Sequence, residues 1–517
     1  MSIAAPRPGG RLRRLLQVTG VFLAVVILVW LVLSIVWGGQ RLGPQRDFVQ
    51  EFNATIETIP MTQRAWPRLR TAVDELDLDQ NRSFATQVDE LVQSSDLQAQ
   101  ERWLRQNQEA LASLRSAARL PELGLPWRGA MLPEAPDQFL LLSANERAAL
   151  ALVGPAEASS VDEENNPLIT LPLRFLRPMR AMARLLQADA RSAVGLGDLS
   201  RAVDDCTAML DIARLCQQDP MLISQLTGLS IRALAEDTIL ELVSTEPLGS
   251  TPPLLEELAK ALSVPIAPVS LDGERMIVQD IVQRFYSDDG AGDGVFLVSG
   301  FNEASALTNT NLPRLFYTGL LVLPDPVLQP FVARAAGTRM QVSDTLDGLI
   351  SEAQNLMETD PWAINWTVLD TRQEALNSDG ILKNIHLFPL PLVTPGFDPP
   401  ILASHRDRFM HKVARLVIAL HQFRARYGDW PQQLKQLQPD LLTELPRDPY
   451  GGAVLRYEVR DHQPVLWSIG LDGVDQGGFF PEEVTPFTLR RVPQGASSPR
   501  PAPKDARLWP MPTLSSP

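Results

Sequence analysis

The side chains best suited to nucleophilic, acid–base or metal chemistry are few in this chain and poorly spaced for it. The two cysteines, Cys206 and Cys216, fall in one helical pattern. Ten residues along a helix is about 15 Å, too far for a disulfide within that element. No Cys/His zinc spacing surrounds them, so they read as small buried apolar side chains. The histidines are His386, His405, His411, His421 and His462. His411 and His421 share a helix but stand too far apart to reach one ion. G-x-S-x-G, H-E-x-x-H, a P-loop and a G-x-G-x-x-G after a strand do not occur. Carboxylate pairs are so common in this acidic chain that none singles out a glycosidase-type acid/base couple. Asp162-Glu163-Glu164 reads as a solvated loop, because three successive carboxylates cannot point at one ion. Ser287–Gly294, SDDGAGDG, lacks the spacing and closing Glu of an EF-hand and reads as a flexible loop.

The elements around these residues follow from composition and pattern. The chain has 517 residues and a net charge of -14. It is long enough for two to four domains, and too acidic for a general nucleic-acid binder, which needs a basic face. Residues 1–14 carry Arg7, Arg11, Arg13 and Arg14. Residues 15–37 are apolar except for Gln17, Thr19 and Ser34. A bilayer core takes about 20 apolar residues, whereas a cleaved signal has a shorter core of about 7–15 followed by a small-residue site. The run therefore predicts a transmembrane helix, closed by Trp37 at the interface. The arginines put the N-terminus in the cytoplasm and the rest of the chain outside it.

Residues 38–400 read as a helical body, with a sub-boundary at 121–167 where Pro and Gly accumulate. The stretch Glu101–Leu120 shows a helical stripe of Trp103, Ala110, Leu111, Leu114 and Ala118. Phe175–Val243 is the strongest helical region, interrupted at Gly195-Leu-Gly-Asp198. This break looks like one turn of a tetratricopeptide-type repeat, but no second copy follows at that period, so an antiparallel helix pair is expected. Asp219-Pro220 is expected to open a further helix. Helices are also expected over Leu254–Leu262, Leu271–Tyr286 and Gly337–Thr359. Pro313–Pro330 is apolar but broken by prolines. Asn377–Pro400 is irregular and too apolar to float free of the body.

Residues 401–491 form a distinct module. Phe409, Val413, Leu416, Leu420, Phe423 and Tyr427 make one apolar face of a long helix over 402–427, closed by Gly428. Glu444–Gly451 is a proline-rich turn. Two alternating segments follow: Leu455, Tyr457 and Val459, then Val465, Trp467 and Ile469, joined across 460–464 as a hairpin. The tail 492–517, rich in Pro and Ser, is expected to be disordered.

The order of these motifs resembles the soluble domain of the major pseudopilin of bacterial type II secretion. The matching residues are Ala419, Leu420, Phe423, Arg424, Gly428, Trp430 and Pro431, then Leu445, Pro446, Asp448, Pro449, Tyr450 and Gly451, then Ser468, Gly470, Asp472, Gly473, Gly477 and Gly478. The resemblance implies a calcium ion in the last loop, with Asp472 as the best ligand and Ser468 and backbone carbonyls beside it; Glu482 or Glu483 would stand in for the family's second carboxylate, with Asp475 nearby. The chain departs from the family at the second carboxylate, where it reads Phe479-Phe-Pro-Glu-Glu483. A metal-free loop closed by Asp472 on its own backbone is the competing reading. In that family the module's helix also continues directly from the membrane segment, whereas here the two lie far apart. The whole chain is similar instead to long, uncharacterised bacterial single-pass membrane proteins with a helical body before such a module.

The expected fold is therefore mainly α: an N-terminal transmembrane helix, a multi-helix body and a small C-terminal α+β pseudopilin-like module with a β-hairpin. The expected function is that of a binding or assembly protein of the bacterial envelope, associated with secretion and with envelope protein partners, anchored in the cytoplasmic membrane through residues 15–37, without nucleic-acid partners and with no catalysis indicated. The alternative is an envelope hydrolase whose site lies in a pocket of the body.

Overall fold

The computed structural model describes residues 9–37, 46–127, 138–142, 168–171, 173–288, 293–297, 334–377, 385–387, 396–478, 489–491 and 505–510, with a few single residues between them. The expected acidic loop at 162–164, the apolar run 313–330 and Glu483 lie outside the described residues, as does most of 121–167.

The described chain is mainly helical, with fourteen helices and one small antiparallel sheet. After α1 (Gly9–Trp37) come α2 (Phe48–Glu57), α3 (Ala65–Asp74), α4 (Phe84–Val92), α5 (Leu97–Gln106) and α6 (Gln108–Ala118). The single helix expected over 101–120 is two, because Asn107 leaves helical geometry. Its Oδ1 accepts the Asp77 backbone N–H at 2.7 Å and its Nδ2 donates to the Trp103 carbonyl at 2.8 Å.

The centre of the body is α7 (Leu176–Gly195), α8 (Leu199–Cys216) and α9 (Leu222–Val243), which pack in sequence. Gly197, at φ +78°, makes the turn that Asp198 then caps, its side chain accepting the Arg201 N–H. Pro220 lies before α9 rather than in its first turn. Asp219 holds that entry instead, accepting the Met221 N–H at 3.0 Å and the Trp127 indole N–H at 2.7 Å. Cys206 and Cys216 are buried and free, and desolvation pushes both thiols well up, so neither is a reactive thiolate.

Three cores share these helices. One joins α3–α6 to α7, α8 and α9. A second joins α7–α9 and α10 (Pro252–Ala261) to the last long helix and the sheet. A third joins α11 (Asp272–Phe285), α12 (Arg339–Glu358) and α13 (Thr367–Asn377) to the start of that helix. Thr338 and Gln341 form a reciprocal capping box at the start of α12.

The last helix, α14, runs Asp398–Tyr427 and ends at Gly428 with φ +85°. The sheet follows, in the order β1 (Arg456–Arg460), β2 (Gln463–Ser468), β3 (Ala506–Trp509). Asp461 and His462 turn the β1–β2 hairpin at φ 49° and 62°, a two-residue primed turn. The Trp430 indole donates to the His462 carbonyl at 3.1 Å.

Two expectations are corrected here. The tail is not disordered throughout: residues 506–509 pair with β2, and Leu508 and Trp509 are buried in the second core. The driving force is that aromatic burial, with Trp509 set edge-on to His421 and Trp430. Nor does β2 alternate between core and solvent. With a strand on each side and the 470–478 loop over Trp467, every residue from Pro464 to Ser468 is buried.

Among the described residues no helix is long and apolar enough to cross a membrane. The expected span over 15–37 falls inside α1, Gly9–Trp37.

Candidate functional site

The loop after β2 is positioned from three directions. Asp448 in the proline turn accepts the Tyr450 N–H at 2.9 Å and the Ile469 N–H at 2.8 Å, tying the turn to the loop's first residue. Ser468 is fully buried, and its Oγ accepts the Gly470 N–H at 3.3 Å. Gly470, Gly473, Gly477 and Gly478 all take positive φ, which lets so short a segment reverse direction.

Three of the four expected ligands are described, and the two carboxylates among them, Asp472 and Asp475, are already engaged in hydrogen bonds. Asp472 Oδ1 accepts the Val474 N–H at 3.1 Å and Oδ2 accepts the Gln476 amide at 3.0 Å, so it closes a turn on its own loop. Asp475 bonds the Trp467 indole and the Gly477 N–H through Oδ1, and Arg456 Nε at 2.7 Å through Oδ2. Against some desolvation, those bonds hold its carboxyl below the ordinary range. Glu483 lies outside the described residues. Among the described residues no group of three or more His, Cys, Asp or Glu is placed to hold a metal.

Sequence reasoning missed Asp505. It sits just before β3 and is 3 % exposed. Its Oδ2 accepts the Gln476 N–H at 3.1 Å and the Gly478 N–H at 2.7 Å. Its Oδ1 is buried without a partner, as is Gln476 Oε1. Desolvation raises the Asp505 carboxyl, and the charges of Asp475 and Asp472 raise it further, against those two backbone bonds. Two orphaned buried oxygens beside acidic neighbours suit a hard cation that takes oxygen ligands. Asp472, Gln476 and Asp505 are joined by hydrogen bonds through Gln476, which donates its amide to Asp472 and its backbone N–H to Asp505. The signal was present in the sequence only as one Asp in a tail that looked structureless.

The other feature is a cleft of about 830 Å³ where body and module meet. Its walls are the turn after α12 (Thr359–Trp362), one side of α14 (His405–Lys412) and the module turn from Glu444 to Val454. Trp362 lies flat enough on Gly452, at φ +68°, that a Cβ there would stand 2.9 Å from the ring. Comparison with protein-family models, curated proteins and solved structures finds no match for this chain. The cleft is therefore read from its own side chains.

His405 is the only histidine in it, and both its nitrogens are used. The Leu356 carbonyl can only accept, so Nε2 carries the hydrogen that donates to it at 2.9 Å. Nδ1 is then the acceptor for Arg408 Nη2 at 2.9 Å. Burial, with the Arg408 charge, takes the imidazole down to about 4, so it is neutral at pH 7 and holds Arg408 rather than a substrate proton. Arg408 also donates to the Met357 carbonyl. Its Nε is buried without a partner, and among the described residues no carboxylate lies within ion-pair distance. Arg447 donates to the Gly452 carbonyl at 2.9 Å and likewise has no carboxylate partner. Lys412 and Glu444 face each other at 3.4 Å, both exposed.

The remaining buried polar groups serve the frame. His421 Nδ1 donates to the Gly249 carbonyl at 3.2 Å. His411 joins α14 to α9 through Glu236 at 2.7 Å, beside the Arg232–Asp407 pair at 2.5 Å. His386 and His462 lie elsewhere, the latter in the hairpin turn.

Proposed function

We propose that this chain is a membrane-anchored binding protein of a bacterial envelope, with a cytoplasmic N-terminus and its bulk outside the cytoplasm. The observation that carries the binding reading is the junction cleft, which presents two arginines without carboxylate partners beside Trp362. Its volume lies in the range of small-molecule sites, and such sites favour domain junctions. The His405 nitrogens are committed to a carbonyl and a guanidinium, which favours binding over the hydrolase alternative.

The anchor is residues 15–37, supported by the continuous helix α1 and by the exposure of most side chains from Val18 to Val32. Residues 401–491 are a pseudopilin-like module used as a fixture of the body. In support, α14 is buried along 400–421 against α9, α10 and α12, so it is not free to stack as a filament rod. Calcium at Asp472 and Asp505 would cross-link the loop to β3 and does no chemistry beyond that.

Membrane fractionation tests the reading. The full chain is expected to resist alkaline carbonate extraction and to be digested by protease added outside the cytoplasmic membrane. Release by carbonate, or full protection in intact spheroplasts, overturns it.

A further inference from the structure

We propose that the junction cleft binds a singly charged oxyanion carried on a flat apolar group, such as an aryl carboxylate. This rests on reading the cleft as a binding site. The charge follows from what lines it. Arg408, Arg447 and Lys412 stand against Asp360 and Glu444, and His405 adds no charge. Lys412 and Glu444 neutralise each other across 3.4 Å, which leaves two arginines facing Asp360. One unit of positive charge remains in a chain whose net charge is -14.

Arg408 makes the argument chemical rather than arithmetic. Its guanidinium is half-buried and lines the cleft, and among the described residues no carboxylate lies within ion-pair distance of it. Asp407, Asp360 and Glu358 act on that guanidinium only at a distance, and an oxyanion in the cleft would give it the direct anionic acceptor that none of them supplies. A guanidinium presents its donors in a planar fork that matches a carboxylate or phosphate. Arg447 approaches the cleft from the module side, so one anion can draw on both the body and the module. The apolar part of the ligand is set by Trp362, 37 % exposed and braced from behind by Gly452, and by Phe409. A braced indole offers a flat surface at low entropic cost.

Benzoate and benzamide have the same shape and differ in charge, so they separate the two parts of this assignment. Titration calorimetry on the full chain in detergent, at low ionic strength, is expected to give benzoate at least tenfold tighter binding than benzamide. Added salt should weaken benzoate alone. Arg408→Gln and Arg447→Gln are each expected to lower benzoate affinity at least fivefold and leave benzamide unchanged, and Trp362→Ala to weaken both. Arg447 is exposed and holds one backbone carbonyl, so its variant keeps the test valid should the Arg408 variant fail to fold. Equal binding of the two ligands, lost in Trp362→Ala, would keep the cleft as a site and overturn the anion assignment. Binding of neither, or benzoate binding that all three variants leave unmoved, would overturn the cleft assignment with it.

Discussion

The Glu236–His411 contact shows how much a single buried pair can dictate. His411 Nε2 donates to the Leu262 carbonyl at 2.9 Å, so its Nδ1, 2.7 Å from Glu236 Oε1, needs exactly one proton between the two groups. Desolvation, foremost in both, pushes Glu236 up to about 8 and His411 down to about 4. A carboxylic acid therefore donates to a neutral imidazole. In the unfolded chain Glu loses its proton near 4.3 and His near 6.5. Between those values the pair binds about one proton in either state and adds no pH dependence. From about pH 6.5 to 8 the folded pair keeps a proton that the unfolded chain has released, so its contribution falls as pH rises, by ~2 kcal/mol. Glu236→Gln keeps a donor to Nδ1 and removes that titration. Its stability should be flat from pH 6.5 to 8 and fall below 6.5, where only the unfolded histidine protonates. Denaturant midpoints at pH 5.5, 6.5 and 8 check this, since Arg232 and Asp407 remain in both proteins; parallel profiles would refute it. Arg115 offers a second test, lying between Asp189 at 3.0 Å and Asp205 at 2.6 Å, both carboxylates fully buried. Burial and the Asp189 charge already raise Asp205. Arg115→Met should cost ~3–5 kcal/mol, because it leaves Asp205 in the core without an ion-pair partner and Asp189 with only Arg201, at 3.8 Å. Arg119→Met, which removes an exposed pair with Asp204, should cost less than ~1 kcal/mol.

Among the elements, β3 is where sequence and structure part. The face of α14 was legible because residues 409–427 repeat at helical spacing and Gly428 supplies the left-handed cap. The hairpin was legible because two short runs of β-formers flank a turn. Four residues, Ala506–Trp509, have no period to read, and their neighbours are prolines. The information that makes them a strand lies in β2 and in the aromatic contacts of Trp509, neither of which is local. Asp505 was missed for the same reason, and with it the tie between β3 and the 470–478 loop. The cleft was equally illegible, because Arg408 and Arg447 line one cavity only when the proline turn folds back on α14. Trp509→Ala should lower stability by ~3–5 kcal/mol and loosen the 470–478 loop, read as faster amide exchange at Gln476 and Gly478. Calcium at 100 times its dissociation constant should add ~2.7 kcal/mol, seen as a melting rise that chelator reverses. Asp505→Asn should abolish that rise and Glu483→Gln should leave it. A chain that melts alike in calcium and chelator would remove the ion from the molecule.

On the scale of the whole molecule, α14 decides what the C-terminal module can be. Its first half sits in the third core with α12 and α13, and its middle in the second core with α9 and α10. Glu236–His411 and Arg232–Asp407 pin it to α9 from within. A helix held on several sides cannot slide past a neighbour or pack as the outer rod of a filament, so any assembly must use the molecule as one block. α1 stands in contrast. Its described side chains are largely exposed, and it contributes none of the residues of the described cores. The anchor and the body are therefore expected to be separable. A chain lacking residues 1–40 should leave the membrane fraction, remain soluble without detergent and melt at the same temperature as the full chain, with the same calcium response. Loss of folding on that deletion would show that α1 is a structural part of the body, and persistence in the membrane fraction would place the attachment elsewhere.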